Sequence, residues 1–208
     1  MFYKLLPLAA ALSLTSCAVI IESPHSTNVD TSPAPTETTS PQHSAITQMN
    51  HVECEGSVEP PAHLAGYLTA STNDVLLNQA LGEPEKGGLC KGQVYEVKKD
   101  FTIYRAWNST NPGSEKGKWW AFNRPEGSVA QYREDYEICY QWSPLDMMTT
   151  CNIEAGTQLV IGPGQSAFCS QYLTYSTSTS QQIFITNAGT ATSNCHVFQG
   201  VFQWQPAN

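Results

Sequence analysis

The chain has 208 residues, and its 10 lysines and arginines are outnumbered by 18 aspartates and glutamates, which gives a formal net charge of -8. This length suits one ordinary domain with extensions. The negative charge repels phosphates over long range and argues against nucleic acid as a partner. A small anionic ligand remains compatible with it, because salt screens a diffuse surface charge within about 10 Å and one arginine in a cleft can dominate locally.

The first residues have the pattern of an export signal. Lys4 precedes an apolar run from Leu5 to Leu14, which is much shorter than the roughly 20 residues that span a bilayer. Leu-Thr-Ser-Cys, ending at Cys17, resembles a bacterial lipobox and predicts a signal peptide over residues 1–17 with a lipid on Cys17. A plain secretory cleavage after Ser16-Cys17-Ala18 also fits. We therefore expect a secreted or cell-surface protein, which in the first case is an outer-membrane lipoprotein held to the membrane only through its lipid.

A change of composition follows the signal. Residues 18–50 include the stretch SPHSTNVDTSPAPTETTSPQHSAIT, which is rich in serine, threonine and proline and has almost no apolar side chains. Such a segment buries too little surface to offset the entropy lost on ordering. We interpret residues 18–50 as a disordered tether and expect the folded domain over residues 51–208.

The remaining six cysteines are an even set in an exported chain, which is typical of disulfide bonds. They are Cys54, Cys90, Cys139, Cys151, Cys169 and Cys195. The expected pairing joins Cys139 to Cys151 as a local link, and Cys54 or Cys90 to Cys169 or Cys195. A zinc site is the rival interpretation, but the chain has no CxxC motif and its histidines lie apart, so no metal is expected.

Within the domain, helical and strand patterns alternate irregularly. Thr72–Leu81 has polar starters and a Gly-Glu-Pro stop, which predicts a short helix. Val94–Val97 and Phe101–Trp107 are typical of two strands joined by a turn, and Lys118–Phe122 predicts a third.

The second half of the domain predicts one more helix and several strands. Apolar residues at helical spacing predict a helix over Gly127–Tyr140, on which Arg133 pairs with Glu137 one turn later. Later strands are expected in TQLVIG, QQIFIT and CHVFQGVFQWQ. The result is an α+β domain with a strongly bent or split antiparallel sheet, few short helices and disulfide links.

Five short motifs then occur in a characteristic order. They are Tyr104-Arg105 closing an early strand, GKWW at Gly117–Trp120, a helix followed by Trp142, IEAGTQLVIGPGQS at Ile153–Ser166, and SQQIFI at Ser180–Ile185. This series resembles the C-terminal domains of bacterial polymorphic toxins that are related to the ADP-ribosyltransferase fold, in particular the NAD-glycohydrolase branch typified by tuberculosis necrotizing toxin.

The resemblance implies an ADP-ribosyltransferase-like fold and cleavage of the bond between nicotinamide and ribose in NAD, which is the substrate rather than a cofactor. By the same resemblance Arg105 holds the pyrophosphate and positions the ribose, Trp120 stacks on nicotinamide, and Gln182 steadies the positive charge that develops on the sugar. Gln181 is the neighbour that replaces Gln182 in a shifted register. A toxin of this kind implies a host or competitor target and an immunity protein.

The chain departs from the family pattern near Gln182. The segment Thr174–Gln182, TYSTSTSQQ, stands where relatives have a glycine-rich loop, and no aspartate or glutamate follows Gln182. A glutamine cannot serve as a base toward an acceptor. This favours NAD hydrolysis over transfer to arginine.

Two further observations bear on function. Asn108-Ser109-Thr110 is a glycosylation sequon, and a glycan there is hard to combine with an NAD cleft beside Arg105. A non-enzymatic, tethered binding module, such as an adhesin or an inhibitor protein, is the alternative function, which exposed aromatic residues such as Trp204 would support. The two functions differ in whether Arg105, Trp120 and Gln182 share one cleft.

Overall fold

The structure is a computed structural model that describes residues 54–207. The predicted signal peptide, the tether and the lipid on Cys17 lie outside the described residues. None of the helices in the described part is long and apolar enough to cross a membrane.

Short strands dominate the described residues. The strands are β1 (Leu68–Ala70), β2 (Gln93–Val97), β3 (Phe101–Trp107), β4 (Trp119–Ala121), β5 (Met147–Ile153), β6 (Gln158–Pro163), β7 (Ala167–Ser170), β8 (Leu173–Tyr175), β9 (Gln181–Phe184), β10 (Thr192–Gln199) and β11 (Gln205–Pro206). The helices are α1 (Asp74–Ala80), α2 (Val129–Asp135) and α3 (Ala188–Ala191), with 3₁₀ turns at Ala62–Tyr67 and Pro112–Ser114.

Nine strands form one antiparallel sheet in the order β1-β2-β6-β9-β4-β3-β5-β10-β11, and β7 pairs with β8 separately. The junction between β3 and β4 rests on a single paired position, Tyr104 with Ala121. On either side of this junction β4 pairs with β9 over three positions and β3 pairs with β5 over seven. The sheet is therefore nearly split between β3 and β4, which pair at no other position.

The main core lies on one face of this sheet. Ile103, Trp120, Ile161 and Ile183 belong to one buried cluster of side chains from neighbouring strands. Alternation along β3 explains the pattern, because Phe101 and Ile103 are buried while Thr102 between them is exposed. Burial of these apolar side chains supplies the main stabilisation of the fold.

Several predicted elements are confirmed. The helix predicted over Thr72–Leu81 is α1, where the Asn73 side chain caps the first turn by accepting a hydrogen bond from the Leu76 amide (3.0 Å). Strands β2 and β3 match the two predicted runs to within a residue, and β4 and β9 lie within predicted strands. Strand β6 extends one residue beyond the predicted TQLVIG run, to Pro163. Strand β10 begins at Thr192, three residues before the predicted CHVFQGVFQWQ run, and ends within it at Gln199. The disulfide-linked α+β class is thus confirmed, while its kinship to ADP-ribosyltransferases stays a prediction.

The second helix is shorter than predicted. It ends at Asp135 instead of Tyr140, and the Ile138 amide bonds back to the Arg133 carbonyl (2.9 Å) around a left-handed residue, Glu137, whose φ is 47°. This is a Schellman ending, in which glycine usually occupies the left-handed position. Because the chain has glutamate there, the sequence gives no signal of the stop.

All six predicted cysteines are in disulfide bonds, but the predicted pairing is wrong. The bonds are Cys54–Cys90, Cys139–Cys169 and Cys151–Cys195, with Cα–Cα distances of 5.6, 5.2 and 4.2 Å. Cys151 lies on β5 beside β10, which carries Cys195, whereas Cys139 lies in the segment after α2. The disulfides are compatible with an extracellular location.

Candidate functional site

A cavity of about 270 Å³ opens where β3 and β4 separate. It is lined by the end of β3, by β4, by Gln182 of β9, and by α2 with the segment that follows it. Its charged lining residues are Lys86, Arg105 and Glu137. All three residues that the sequence analysis expects to meet, Arg105, Trp120 and Gln182, border this one cavity.

Arg105 is held at the cavity wall by the backbone. Its Nε donates to the Ser114 carbonyl (2.7 Å) and its Nη1 to the Trp119 carbonyl (2.5 Å). Two ion pairs with N···O distances within 4 Å occur in residues 54–207, and both involve lysines. The guanidinium of Arg105 therefore has no carboxylate oxygen within 4 Å in this part of the chain. Burial lowers the pKa of Arg105 to about 10, so the side chain remains a cation at neutral pH. A desolvated cation without a counter-charge favours an anionic ligand.

The two tryptophans of β4 divide their roles differently from our expectation. Trp120, expected in the cleft, is only 2% exposed, belongs to the main core and donates its Nε1 proton to the Gly117 carbonyl (2.8 Å). Trp119 is half-buried and packs against Phe184, with ring centroids 4.8 Å apart. Both border the cavity, but alternation along a strand leaves Trp119 with the more accessible ring.

Gln182 is buried at the cavity and hydrogen-bonded to a carboxyl group. Its Nε2 donates to Oε2 of Glu137 (2.8 Å). In the described part of the chain, Gln182 Oε1 accepts no hydrogen bond. Among the side-chain atoms described there, Glu137 Oε1 is the one that is both sealed from solvent and without a hydrogen bond. Gln182 Oε1 is therefore not sealed from solvent, and Gln182 borders the cavity.

Glu137 was missed by the sequence analysis as a site residue and was assigned to an ion pair with Arg133. That assignment is wrong, because the helix ends before Glu137 and its left-handed backbone turns the side chain inward. Arg133 instead donates to the carbonyls of Ile138 (3.2 Å) and Ser143 (2.6 Å). Glu137 is 2% exposed, and its carboxyl group lies so close to Gly164 that a Cβ at position 164 would overlap it.

Several unfavourable features coincide at Glu137. A left-handed backbone at a non-glycine residue costs on the order of 1–3 kcal/mol, and burial of a carboxyl group without a cation adds to that. Burial raises the pKa of Glu137 to about 8. Contacts with Ser178 and with the amide of Gln182 favour the charged form and lower the pKa, but burial has the larger effect. The carboxyl group is therefore largely neutral at pH 7. Lys86 and Arg105 then leave the cavity positive in a chain whose net charge is -8.

Tyr132 of α2 and Tyr136, which directly follows the helix, border the cavity beside Arg105. Their rings pack at a tilted angle of 37°, with centroids 4.5 Å apart. Burial raises the pKa of Tyr132 well above its usual value and that of Tyr136 to about 12. Both phenols stay neutral, so they offer apolar surface and hydroxyl groups without adding charge.

Three other predicted residues lie apart from the cavity or at its edge. Gln181, the alternative to Gln182, does not border it, and its Nε2 donates to the carbonyls of Ser57 (2.9 Å) and Glu59 (2.5 Å). Asn108 borders the cavity, and its Oδ1 accepts a hydrogen bond from the Thr110 amide (2.9 Å). Trp204 is half-buried and donates to the Pro125 carbonyl (2.6 Å).

A second, more open groove of about 760 Å³ lies between α1 and the β5–β6 turn. It is larger than the first cavity, but Glu154 is the one charged residue in its lining. It therefore lacks the cation and the buried polar pair of the first cavity, which we take as the candidate site.

No protein-family model, no curated protein and no solved structure matches this chain.

Proposed function

We propose that the protein is an exported, toxin-like enzyme that cleaves the nicotinamide–ribose bond of NAD. The observation that carries this proposal is the placement of Arg105, a half-buried cation without a carboxylate partner in the described residues, in the same cavity as Gln182. A pyrophosphate supplies the missing negative charge, since arginine binds phosphate oxygens by charge-assisted hydrogen bonds.

The cavity volume indicates which part of the dinucleotide enters. About 270 Å³ is slightly below the roughly 300–1,000 Å³ of sites that enclose drug-sized ligands. The nicotinamide riboside end therefore enters and the adenosine end lies outside. Trp119 supplies a half-buried aromatic surface for the nicotinamide ring.

Hydrolysis follows from the polarity of the site. The C1′–N bond breaks with its electron pair going to nicotinamide, and positive charge develops on the ribose. Gln182 Oε1 presents the negative end of the amide dipole toward the cavity and steadies that charge. A water oxygen then bonds to C1′ and releases its proton to solvent, which leaves ADP-ribose. Transfer of ADP-ribose to another acceptor remains a variant of the same reaction.

The direct test measures nicotinamide and ADP-ribose released from NAD by the disulfide-bonded protein. We expect Arg105→Ala and Gln182→Ala each to lower kcat/KM by about 100-fold or more. Arg124→Ala is the matched control for Arg105, because Arg124 is exposed and lies over the Phe198 ring. Gln181→Ala is the control for Gln182. Absence of nicotinamide release by the wild type, or full activity of both site variants, contradicts the proposal.

A binding module is the second candidate function, and one surface favours it. Tyr140, Trp142, Phe168 and Tyr172 are 49–88% exposed and flank the Cys139–Cys169 disulfide in sequence. Exposed aromatic side chains of this kind suit binding of a glycan or a protein. In the same experiment, a wild type that releases no nicotinamide supports this alternative, whether or not it binds NAD.

A further inference from the structure

We propose that Glu137 is a positioning residue that fixes the side-chain amide of Gln182, so that Gln182 Oε1 points into the cavity. The inference rests on the proposed function and deepens it, because it assigns a role to a residue to which the resemblance gave none. Its basis is the hydrogen bond from Gln182 Nε2 to Glu137 Oε2 (2.8 Å) between two side chains that are 7% and 2% exposed.

The hydrogen bond decides which end of the amide faces the ribose. A glutamine amide can rotate by half a turn and present either its carbonyl oxygen or its NH₂ group. Oε2 of Glu137 accepts from the NH₂ group and so retains it on the far side; in the neutral carboxyl group this places the proton on the other oxygen, Oε1. Only the carbonyl end is then available to a developing positive charge, and the opposite orientation would place two amide protons against it.

The environment of Glu137 makes its carboxyl group rigid. Glu137 occupies the left-handed position that ends α2, with a φ of 47°. Two residues later Cys139 is bonded to Cys169, and Gly164 leaves just the space that the carboxyl group fills. The left-handed backbone, the nearby disulfide and the space at Gly164 together restrict the conformation of the Glu137 side chain.

These features are unfavourable for folding alone. Glycine would take the left-handed position without strain, and an apolar side chain would avoid an unbonded buried oxygen such as Glu137 Oε1. The raised pKa of Glu137, caused by burial, agrees with a group held without a cation. A residue that is costly to the fold and bonded to a predicted catalytic side chain is explained by its effect on that side chain.

The Glu137→Gly variant distinguishes a role of Glu137 in stability from its role in positioning Gln182. Glycine relieves the left-handed backbone, so we expect this variant to unfold at the same or a higher denaturant concentration than the wild type. It lacks the carboxyl group, so kcat for NAD cleavage should fall by about 10-fold or more while KM changes by less than about 3-fold. A purely structural role for Glu137 predicts that kcat follows stability.

Glu137→Gln and a double-mutant cycle complete the experiment. Glutamine retains an oxygen that accepts from Gln182 Nε2, so Glu137→Gln should stay within about 3-fold of wild-type kcat. In a Gln182→Ala background Glu137→Gly should have no further effect, because its action passes through Gln182. Glu134→Gly is the control, because Glu134 is an exposed residue of α2. It shows how a glutamate-to-glycine change in this helix affects stability and kcat when the cavity is not altered.

The outcomes separate this inference from the proposed function. A wild type that releases no nicotinamide overturns both. An active wild type whose Glu137→Gly variant retains full kcat, or in which the Glu137→Gly and Gln182→Ala losses multiply, overturns the role of Glu137 and leaves the activity in place. An inactive Glu137→Gln variant with wild-type stability also overturns it, since the accepting oxygen is then not what matters.

Discussion

The Arg105 guanidinium lies directly against Gly117, so closely that a Cβ at position 117 would overlap it. Gly117 opens the GKWW motif, and its carbonyl also accepts the Nε1 proton of Trp120. The glycine is therefore explained by the space that the arginine needs rather than by a special backbone angle. Arg105 is positioned as much by the absence of a side chain as by its two backbone hydrogen bonds.

Gly117→Ala should displace Arg105 and impair NAD cleavage without removing any charged or polar group. We expect KM to rise by about 10-fold or more, because the bound pyrophosphate loses its aligned donor. Gly113→Ala is the matched control in the same loop, where the nearest contact of an added Cβ is Asn111 Oδ1 at 3.6 Å. The measurement is steady-state nicotinamide release by both variants. Equal KM values for both would show that Arg105 does not hold the substrate from this position.

The burial of Glu137 predicts a pH-dependent stability. Its pKa is raised from 4.5 to about 8 in the folded state, so between these values the folded protein keeps a proton that the unfolded chain has released. The contribution of Glu137 to the free energy of unfolding should therefore be greatest below pH 4.5 and be lost as the pH rises toward 8, by on the order of 5 kcal/mol. Nearby Tyr136, whose pKa is raised to about 12 by burial, does not titrate in this window.

Urea denaturation between pH 5 and pH 9 measures this slope. Glu137→Gln cannot ionise, so its free energy of unfolding should decline less over the same range. Glu134→Gln, which changes an exposed residue of α2, should keep the wild-type slope. Parallel curves for the wild type and Glu137→Gln would mean that Glu137 is already ionised at pH 5.

The parts of the fold that the sequence predicts are those governed by local patterns. Strands β2 and β3 follow from runs of apolar and β-branched residues, and α1 follows from its polar start and Gly-Glu-Pro stop. The disulfide pairing depends instead on which strands become neighbours, so Cys151 could not be matched to Cys195 from spacing. Strands β1, β5, β7 and β8 were also not predicted, because they too depend on which segments become neighbours in the fold.

The candidate site divides in a similar way. Arg105 and Gln182 could be selected because they belong to short motifs in a fixed order. Glu137 could not, because a glutamate at a left-handed helix end has no sequence signature and its helical spacing indicated an ion pair with Arg133. The signal that remains is indirect: the chain has no carboxylate after Gln182, so a carboxyl group at the site has to come from another segment.

Removal of the Cys139–Cys169 disulfide should affect activity more than removal of Cys151–Cys195. The two bonds close loops of similar length, with sequence separations of 30 and 44, and each is expected to contribute about 4 kcal/mol through the unfolded chain. Cys139 lies two residues from Glu137, so its loss should also release the carboxyl group and lower kcat.

The comparison uses paired cysteine-to-alanine variants, with unfolding by urea and kcat measured at a temperature at which both are folded. We expect similar decreases in stability and a larger decrease in kcat for the Cys139/Cys169 pair. If kcat falls equally in both, loss of stability alone accounts for the effect, and the disulfide has no particular relation to the site.

A glycan on Asn108 should obstruct the cavity. Asn108 is half-buried at the cavity wall, and its Oδ1 accepts hydrogen bonds from both the amide and the hydroxyl group of Thr110, at 2.9 and 2.7 Å. We expect a sugar attached to Nδ2 to narrow the opening through which the nicotinamide riboside end of NAD enters. Protein made in a glycosylating host should therefore cleave NAD with a KM raised by about 10-fold or more relative to the unmodified form.

Mass spectrometry of the peptide that contains Asn108 gives the occupancy, and enzymatic removal of the glycan should restore KM. Thr110→Ala removes the sequon and leaves Asn108 in place, so it should be unmodified and active in the same host. Asn108→Gln controls for the loss of the two hydrogen bonds to Thr110. A fully occupied Asn108 with an unchanged KM would place the NAD entrance on another side of the cavity, since a glycan cannot share a narrow opening with a dinucleotide.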